Sequence, residues 1–223
     1  MSEELQQTIK EIKKQLRLSM NGVVSTLQRR QGLDYKINFG VEIPRLKEIA
    51  LRYSKDVELA EELWKENIRE SKLLAIFLYP EERFNTETAE RWLSECRFTE
   101  TADHLCHTLL SHVALPVAFA LRQIESEDTM HRYCGYSLLA HLFRAGASVT
   151  QEEETKYLSA VKSTLVAVDV AGPVKNAASI SLMKYVEQGA IRVEKAREAL
   201  TAEECRGNAA IGSLLENISL FLS

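Results

Sequence analysis

Asp103 heads the segment DHLCHTLLSH, just after the polar turn Phe98-Thr99-Glu100-Thr101 and Ala102. A carboxylate placed there suits either of two purposes. It complements the positive end of a helix, or it faces positive charge that develops during a reaction. Arg132 follows about one helix pair later, in MHRYCGYSLLAHLF, among small and apolar residues. Such an arginine either closes a surface ion pair or offers its fork to a phosphate. Lys175 and Lys184 lie on VKNAASISLMKY. Each reads as a solvated lysine or as a further phosphate contact.

A metal centre is the other chemistry to weigh. Asp103, His104, Cys106, His107 and His112 crowd one segment, and Asp103 and His107 share a helical face. Only two or three of them can converge, whereas a closed zinc site needs four ligands. They are read as satisfied polar side chains, and no metal ligand is assigned. No phosphate-cradling glycine loop, dinucleotide fingerprint, nucleophile elbow or paired-histidine zinc helix occurs. No cofactor is called for.

These residues need helices to hold them. Of the 223 residues 45% are apolar, Gly (9) and Pro (4) are scarce, and no strand-like alternation recurs. This indicates an all-α chain with short connections. Behind Pro44, which suits a first helical turn, Leu46, Ile49, Ala50 and Tyr53 keep helical spacing. Asp56 is placed to cap a helix carrying Leu59, Ala60, Leu63 and Trp64, and Glu70–Leu78 opens another. Glu3–Arg30 reads as two helices broken near Asn21-Gly22. Further helices are expected over Thr86–Arg97, Thr101–Val113, from Pro116, and over Thr129–Arg144, Gln151–Asp169, Val174–Glu187, Val193–Leu200 and Asn208–Leu222. About a dozen helices paired every ~35–45 residues form the pattern of a HEAT-like helical-repeat solenoid with a concave face. No linker-like stretch interrupts it, so one domain over 1–223 is expected. Trp64, Leu74, Phe77, Leu105, Leu109 and Leu139 are expected to be buried between layers.

Net charge is −4 and the pI about 5.8. A general nucleic-acid binder is more often basic overall, so that balance argues mildly against DNA. It leaves room for a local basic surface, because the field in a cleft follows local charges. Lys10, Lys13, Lys14, Arg17, Arg29 and Arg30 make the first thirty residues locally basic. Cys96, Cys106, Cys134 and Cys205 form no CxxC pair and sit within helical patterns, so they are read as core thiols. Neither an apolar leader nor a membrane-length run is present. A cytoplasmic monomer without membrane contact is expected.

One stretch carries more information. Phe39-Gly40-Val41, Pro44, Leu46, Ile49-Ala50, Leu63-Trp64, Glu70 and Leu73-Leu74-Ala75 follow one another in a telling order. That order resembles the first repeat of the DNA alkylation repair family, the AlkD-like HEAT-repeat DNA glycosylases. Weaker similarity continues to about Gln188. The resemblance implies hydrolysis of the N-glycosidic bond of cationic N3- or N7-alkylated purines in double-stranded DNA, with no small-molecule cofactor. Such a purine leaves readily because it is charged, and C1′ becomes oxocarbenium-like as it departs. A carboxylate near C1′ stabilises that charge, and an arginine on the adjacent phosphate fixes the geometry.

The family's Trp-Asp-x-x-Asp pattern aligns its second aspartate with Asp103, and its arginine with Arg132. Thr99 stands where the family has a tryptophan, and Ile180 near where it has another. Phe98, Tyr133 and Tyr136 are the nearest aromatic side chains that could take their place. The implied set is therefore Asp103 for catalysis, with Arg132, Lys175, Lys184, Thr99, Phe98 and Tyr133 toward DNA. The alternative is a non-catalytic HEAT-repeat protein that binds DNA or a protein partner and no longer has the family's aromatic faces for a nucleotide.

Overall fold

The structure is a computed structural model. It describes residues 2–114 and 116–222, apart from the side chains of Glu204 and Leu222. Thirteen α-helices and no strands occur among the described residues. The chain divides into two compact units, Met1–Asn85 and Thr86–Ser223.

The first unit holds α1 (Glu3–Leu18), α2 (Gly22–Arg30), α3 (Ile43–Ala50), α4 (Val57–Trp64) and α5 (Arg69–Leu78). Their ends follow from local chemistry. The Ser2 hydroxyl accepts Leu5 N–H, Asn21 caps α2, and Asp56 Oδ1 accepts Leu59 N–H at 2.7 Å. Leu46, Ile49, Leu59, Leu63, Trp64, Leu73 and Leu74 fill the core. Phe77 is only half-buried, contrary to expectation. Its outer face lies under Lys47, whose ammonium sits 5.8 Å from the ring centre.

The loop from Asn38 to Val41 is held from below by two buried charges. Glu70 Oε2 accepts Phe39 N–H at 3.0 Å, while Oε1 accepts Val41 N–H at 3.2 Å and Arg69 Nη1 at 3.1 Å. Arg69 Nη1 also donates to the Val41 carbonyl at 2.8 Å. Both side chains are enclosed, at 1% and 0% exposure. Above them Gly40 takes φ +71° and presses on α2, where a Cβ would lie 2.2 Å from the Asn21 carbonyl oxygen. Only glycine fits that position.

The second unit holds α6 (Thr86–Ser94), α7 (Thr99–Thr108), α8 (Pro116–Ile124), α9 (Thr129–Arg144), α10 (Gln151–Val166), α11 (Gly172–Val186), α12 (Ala190–Leu200) and α13 (Ala209–Ser219). Helix α9 packs on α6, α7, α8 and α11. Its apolar positions therefore face several directions, with Cys134, Tyr136, Leu138, Leu139, Leu142 and Phe143 all buried. Phe143, Tyr157 and Tyr185 form a ring cluster with centroids 5.1–5.5 Å apart. The four cysteines are buried thiols, outside any disulfide.

Gly135 marks where α8 and α9 come closest. A Cβ there would meet Ile124 Cγ2 at 2.6 Å and the Ala120 carbonyl at 2.8 Å. Helix propensity alone favours Gly→Ala by about 1 kcal/mol. Overpacking of this kind typically costs about 1–3 kcal/mol, and a backbone carbonyl does not yield easily. Gly135→Ala is expected to lower stability in urea unfolding; an unchanged or raised midpoint would show that α8 can move aside.

Two helix boundaries differ from the sequence reading in ways that matter. Helix α7 begins at Thr99, so the run Thr99–Thr101 is its first turn, and Asp103 is its fifth residue rather than its head. Phe98 precedes it in an extended conformation and supplies no side-chain cap. Burial of Thr101 and Ala102 draws that turn into the helix. The same helix stops at Thr108, and Leu110–His112 is a separate 3-10 turn.

Candidate functional site

Asp103 lies one turn inside α7, half-buried, and faces α9. The Tyr133 hydroxyl donates to its two oxygens at 2.9 and 3.0 Å, and the Ser137 hydroxyl donates to Oδ1 at 2.9 Å. Tyr133 and Ser137 are one helical turn apart, so α9 presents both hydroxyls to the same carboxylate. Burial, then the charge and hydrogen bond of Asp103, push the Tyr133 phenol far above its ordinary value of 10. Tyr133 therefore remains a donor through the physiological range.

A cavity of about 270 Å³ opens beside this carboxylate. Helix α9 lines it with Tyr133, Ser137, His141 and Arg144, and α7 adds His107. Helix α11 closes the far side with Asn176, Ile180 and Lys184. Arg144 Nη2 lies 3.3 Å from His141 Nδ1 and 3.5 Å from His107 Nδ1. The two imidazoles meet edge to face, with centroids 4.6 Å apart. Both titrate below the ordinary 6.5. Burial is the main cause for each; Arg144 adds to it at His107, with Asp103 opposing, while His107, Arg144 and His112 add to it at His141. Lys184 holds Glu187 at 2.6 Å.

Arg132 does not line the Asp103 cavity. Arg132 Nη2 donates to Thr164 Oγ1 on α10 at 2.9 Å, and Thr164 also meets the Tyr136 hydroxyl at 2.8 Å. Successive helical residues diverge by about 100°. With Tyr133 turned to α7, Arg132 necessarily points elsewhere, and the arginine beside the Asp103 cavity is Arg144. Lys175 is half-buried at the start of α11 and does not line the cavity. Thr99 is exposed on the first residue of α7, and Phe98 before it is half-buried; neither lines the cavity. Of the implied set, Asp103, Tyr133 and Lys184 come together, and His107 and Ile180, also weighed from the sequence, line the same cavity.

Ser137, His141 and Arg144 were not in that set. Their signal is a polar stripe, Tyr133, Ser137, His141 and Arg144, running at helical spacing among the apolar residues of the helix. Among the described residues no three His, Cys, Asp or Glu side chains gather as a metal site, and no helix is long and apolar enough to cross a membrane. Chemically, the site offers a carboxylate locked in place by two hydroxyls and a cationic arm flanked by neutral imidazoles. A fixed carboxylate beside open space can stabilise a developing cation without reorganising first.

Comparison with known proteins bears on what such a site serves. A solved structure described as "a new family of proteins related to the HEAT-like repeat DNA glycosylases with affinity for branched DNA structures" superimposes with a TM-score of 0.77. It is 20% identical, and the match covers 96% of this chain and 93% of that one. At that identity the likeness establishes the all-α, HEAT-like fold. No curated protein matches the chain. The family described as DNA alkylation repair enzyme matches residues 4–168, which takes in α7 and α9 and stops before α11. With most of its length matched and both walls around Asp103 included, the chain belongs to the DNA alkylation repair enzyme family.

Proposed function

We propose that this protein binds DNA and that its Asp103 cavity assists the loss of a cationic N3- or N7-alkylated purine. The observation that carries the reading is the Asp103 carboxylate, held by Tyr133 and Ser137 on the wall of an open cavity. As the glycosidic bond lengthens, C1′ gains positive charge while the purine becomes neutral. A carboxylate fixed nearby lowers the energy of that state and can orient the attacking water. Hydrogen bonds from two hydroxyls keep it in position. The test is release of alkylated base from methylated duplex by the purified protein.

Three observations favour a second reading, in which the protein holds distorted or branched DNA without excision. Thr99 and Ile180 stand where the resemblance calls for tryptophan, and Ile180 brings an aliphatic side chain, 47% exposed, to the cavity rim. Two hydroxyl donors already engage the Asp103 carboxylate. The superimposable protein is described as having affinity for branched DNA. Electrophoretic shifts with a plain duplex and a four-way junction separate the readings. Junction preference without base release supports the second; base release supports the first.

A further inference from the structure

The cluster at the C-terminal end of α9 is not explained by Asp103 chemistry. Arg144 is exposed, lies on the last residue of α9 and makes no ion pair with a carboxylate among the described residues. Its neighbours within hydrogen-bonding reach are two imidazole nitrogens, at 3.3 and 3.5 Å. For each ring to accept from a guanidinium, its Nδ1 must carry the lone pair, so both rings are neutral in this arrangement. Two neutral rings and one cation at the edge of a cavity leave unused capacity for an anion.

We propose that Arg144, His107 and His141 together receive one phosphate of DNA, and that the two imidazoles take up protons from solvent as it seats. The inference rests on the DNA-binding reading and names the contact that reading lacks. A phosphodiester brings one negative charge and several acceptor oxygens. Arg144 turns its fork to those oxygens and releases the rings. Each ring then has no reason to keep its Nδ1 lone pair, and as an imidazolium it adds donors to the same anion.

Every charged or titratable group around the cluster fits this exchange. From α7, Asp103 faces His107 and favours its protonation, but Tyr133 and Ser137 hold the carboxylate. The 3-10 turn after α7 contributes His112, which acts on His141. Helix α9 contributes Arg144 itself and the phenol of Tyr133. Helix α11 contributes Lys184, engaged with Glu187, and the neutral Asn176. In the free protein burial is the main influence lowering both imidazoles, with Arg144 adding to it, so each ring favours its neutral form. An incoming phosphate offsets the Arg144 charge and adds a negative charge beside both rings, which favours their protonation against burial.

The test is fluorescence anisotropy with labelled, undamaged duplex and four-way junction DNA between pH 5.5 and 8, at fixed low ionic strength. Affinity is expected to tighten as pH falls from 8 toward 5.5, by at most about tenfold per pH unit for each proton taken up. Arg144→Ala is expected to weaken binding, flatten the pH profile and reduce the salt slope by about one contact. The double variant His107→Gln, His141→Gln is expected to flatten the pH profile and keep the wild-type salt slope above pH 7.5. Thermal melts at each pH confirm that the variants remain folded. Affinity that ignores pH, or a pH profile that survives in the double variant, overturns the proton-coupled phosphate site while DNA binding stands. Absence of binding to either DNA at low salt overturns the DNA-binding reading together with the inference built on it.

Discussion

Glu70→Ala is expected to destabilise the protein by about 3–5 kcal/mol, the usual consequence of removing one partner from a buried ion pair. The change takes the acceptor from the Phe39 and Val41 amides and strips Arg69 of the carboxylate beside it. A domain's whole stability is about 5–15 kcal/mol, so the first unit stands to unfold at moderate urea. Glu70→Gln should cost less, about 1–3 kcal/mol. One amide oxygen can still accept, but the NH2 group must then face a backbone N–H. The comparison isolates the charge and the second acceptor from the shape. Unfolding of both variants is followed by circular dichroism in urea. A loss below about 1 kcal/mol for Glu70→Ala would mean that the loop finds other acceptors, and that Glu70 is not what holds it.

Asp103→Asn is expected to cut release of methylated purine by about 100- to 1000-fold, the typical loss when a transition-state stabiliser of this kind is removed. The fold should survive. Asparagine has nearly the same shape, its oxygen still accepts from Tyr133 or Ser137, and either hydroxyl can turn to accept from the new NH2 group. DNA affinity should change little, because the proposed phosphate contact is Arg144 rather than Asp103. Loss of activity with retained binding therefore reports the missing charge. Single-turnover release from methylated duplex is the measurement. Equal release by both proteins would take Asp103 out of the mechanism, and no release by either would favour the reading in which the protein only holds DNA.

Much of the fold is legible in the sequence because its helix boundaries are written in local chemistry. Pro44, Asp56 and Gly146 each act on their own neighbours, and the helices beside them begin or end there. Helix α7 is harder. Phe98 offers no capping oxygen, and Thr99-Glu100-Thr101 has the composition of a turn. What draws those residues into the helix is tertiary burial of Thr101 and Ala102, a non-local effect. The site divides the same way. Asp103 is visible through a motif, but its partners depend on how α9 is rotated against α7. Periodicity cannot give that rotation for α9, because a helix packed on four others is apolar on most sides. Hence Arg132 stands out by residue type, whereas Arg144 occupies the place beside the cavity.

The Glu70 loop has a bearing on how such chains are sorted. Phe39-Gly40-Val41 and Glu70, the residues by which kinship is most readily noticed, are occupied with one another. They secure the first unit, and Asp103, Tyr133 and Arg144 belong to the second. The most recognisable part of the kinship therefore lies outside the unit that carries the candidate chemistry, although the family match itself runs through both. A descendant can keep the badge after losing the trade, and a catalogue organised by the badge will contain workers and pensioners alike. Distinguishing them requires reading which side chains along α9 face α7.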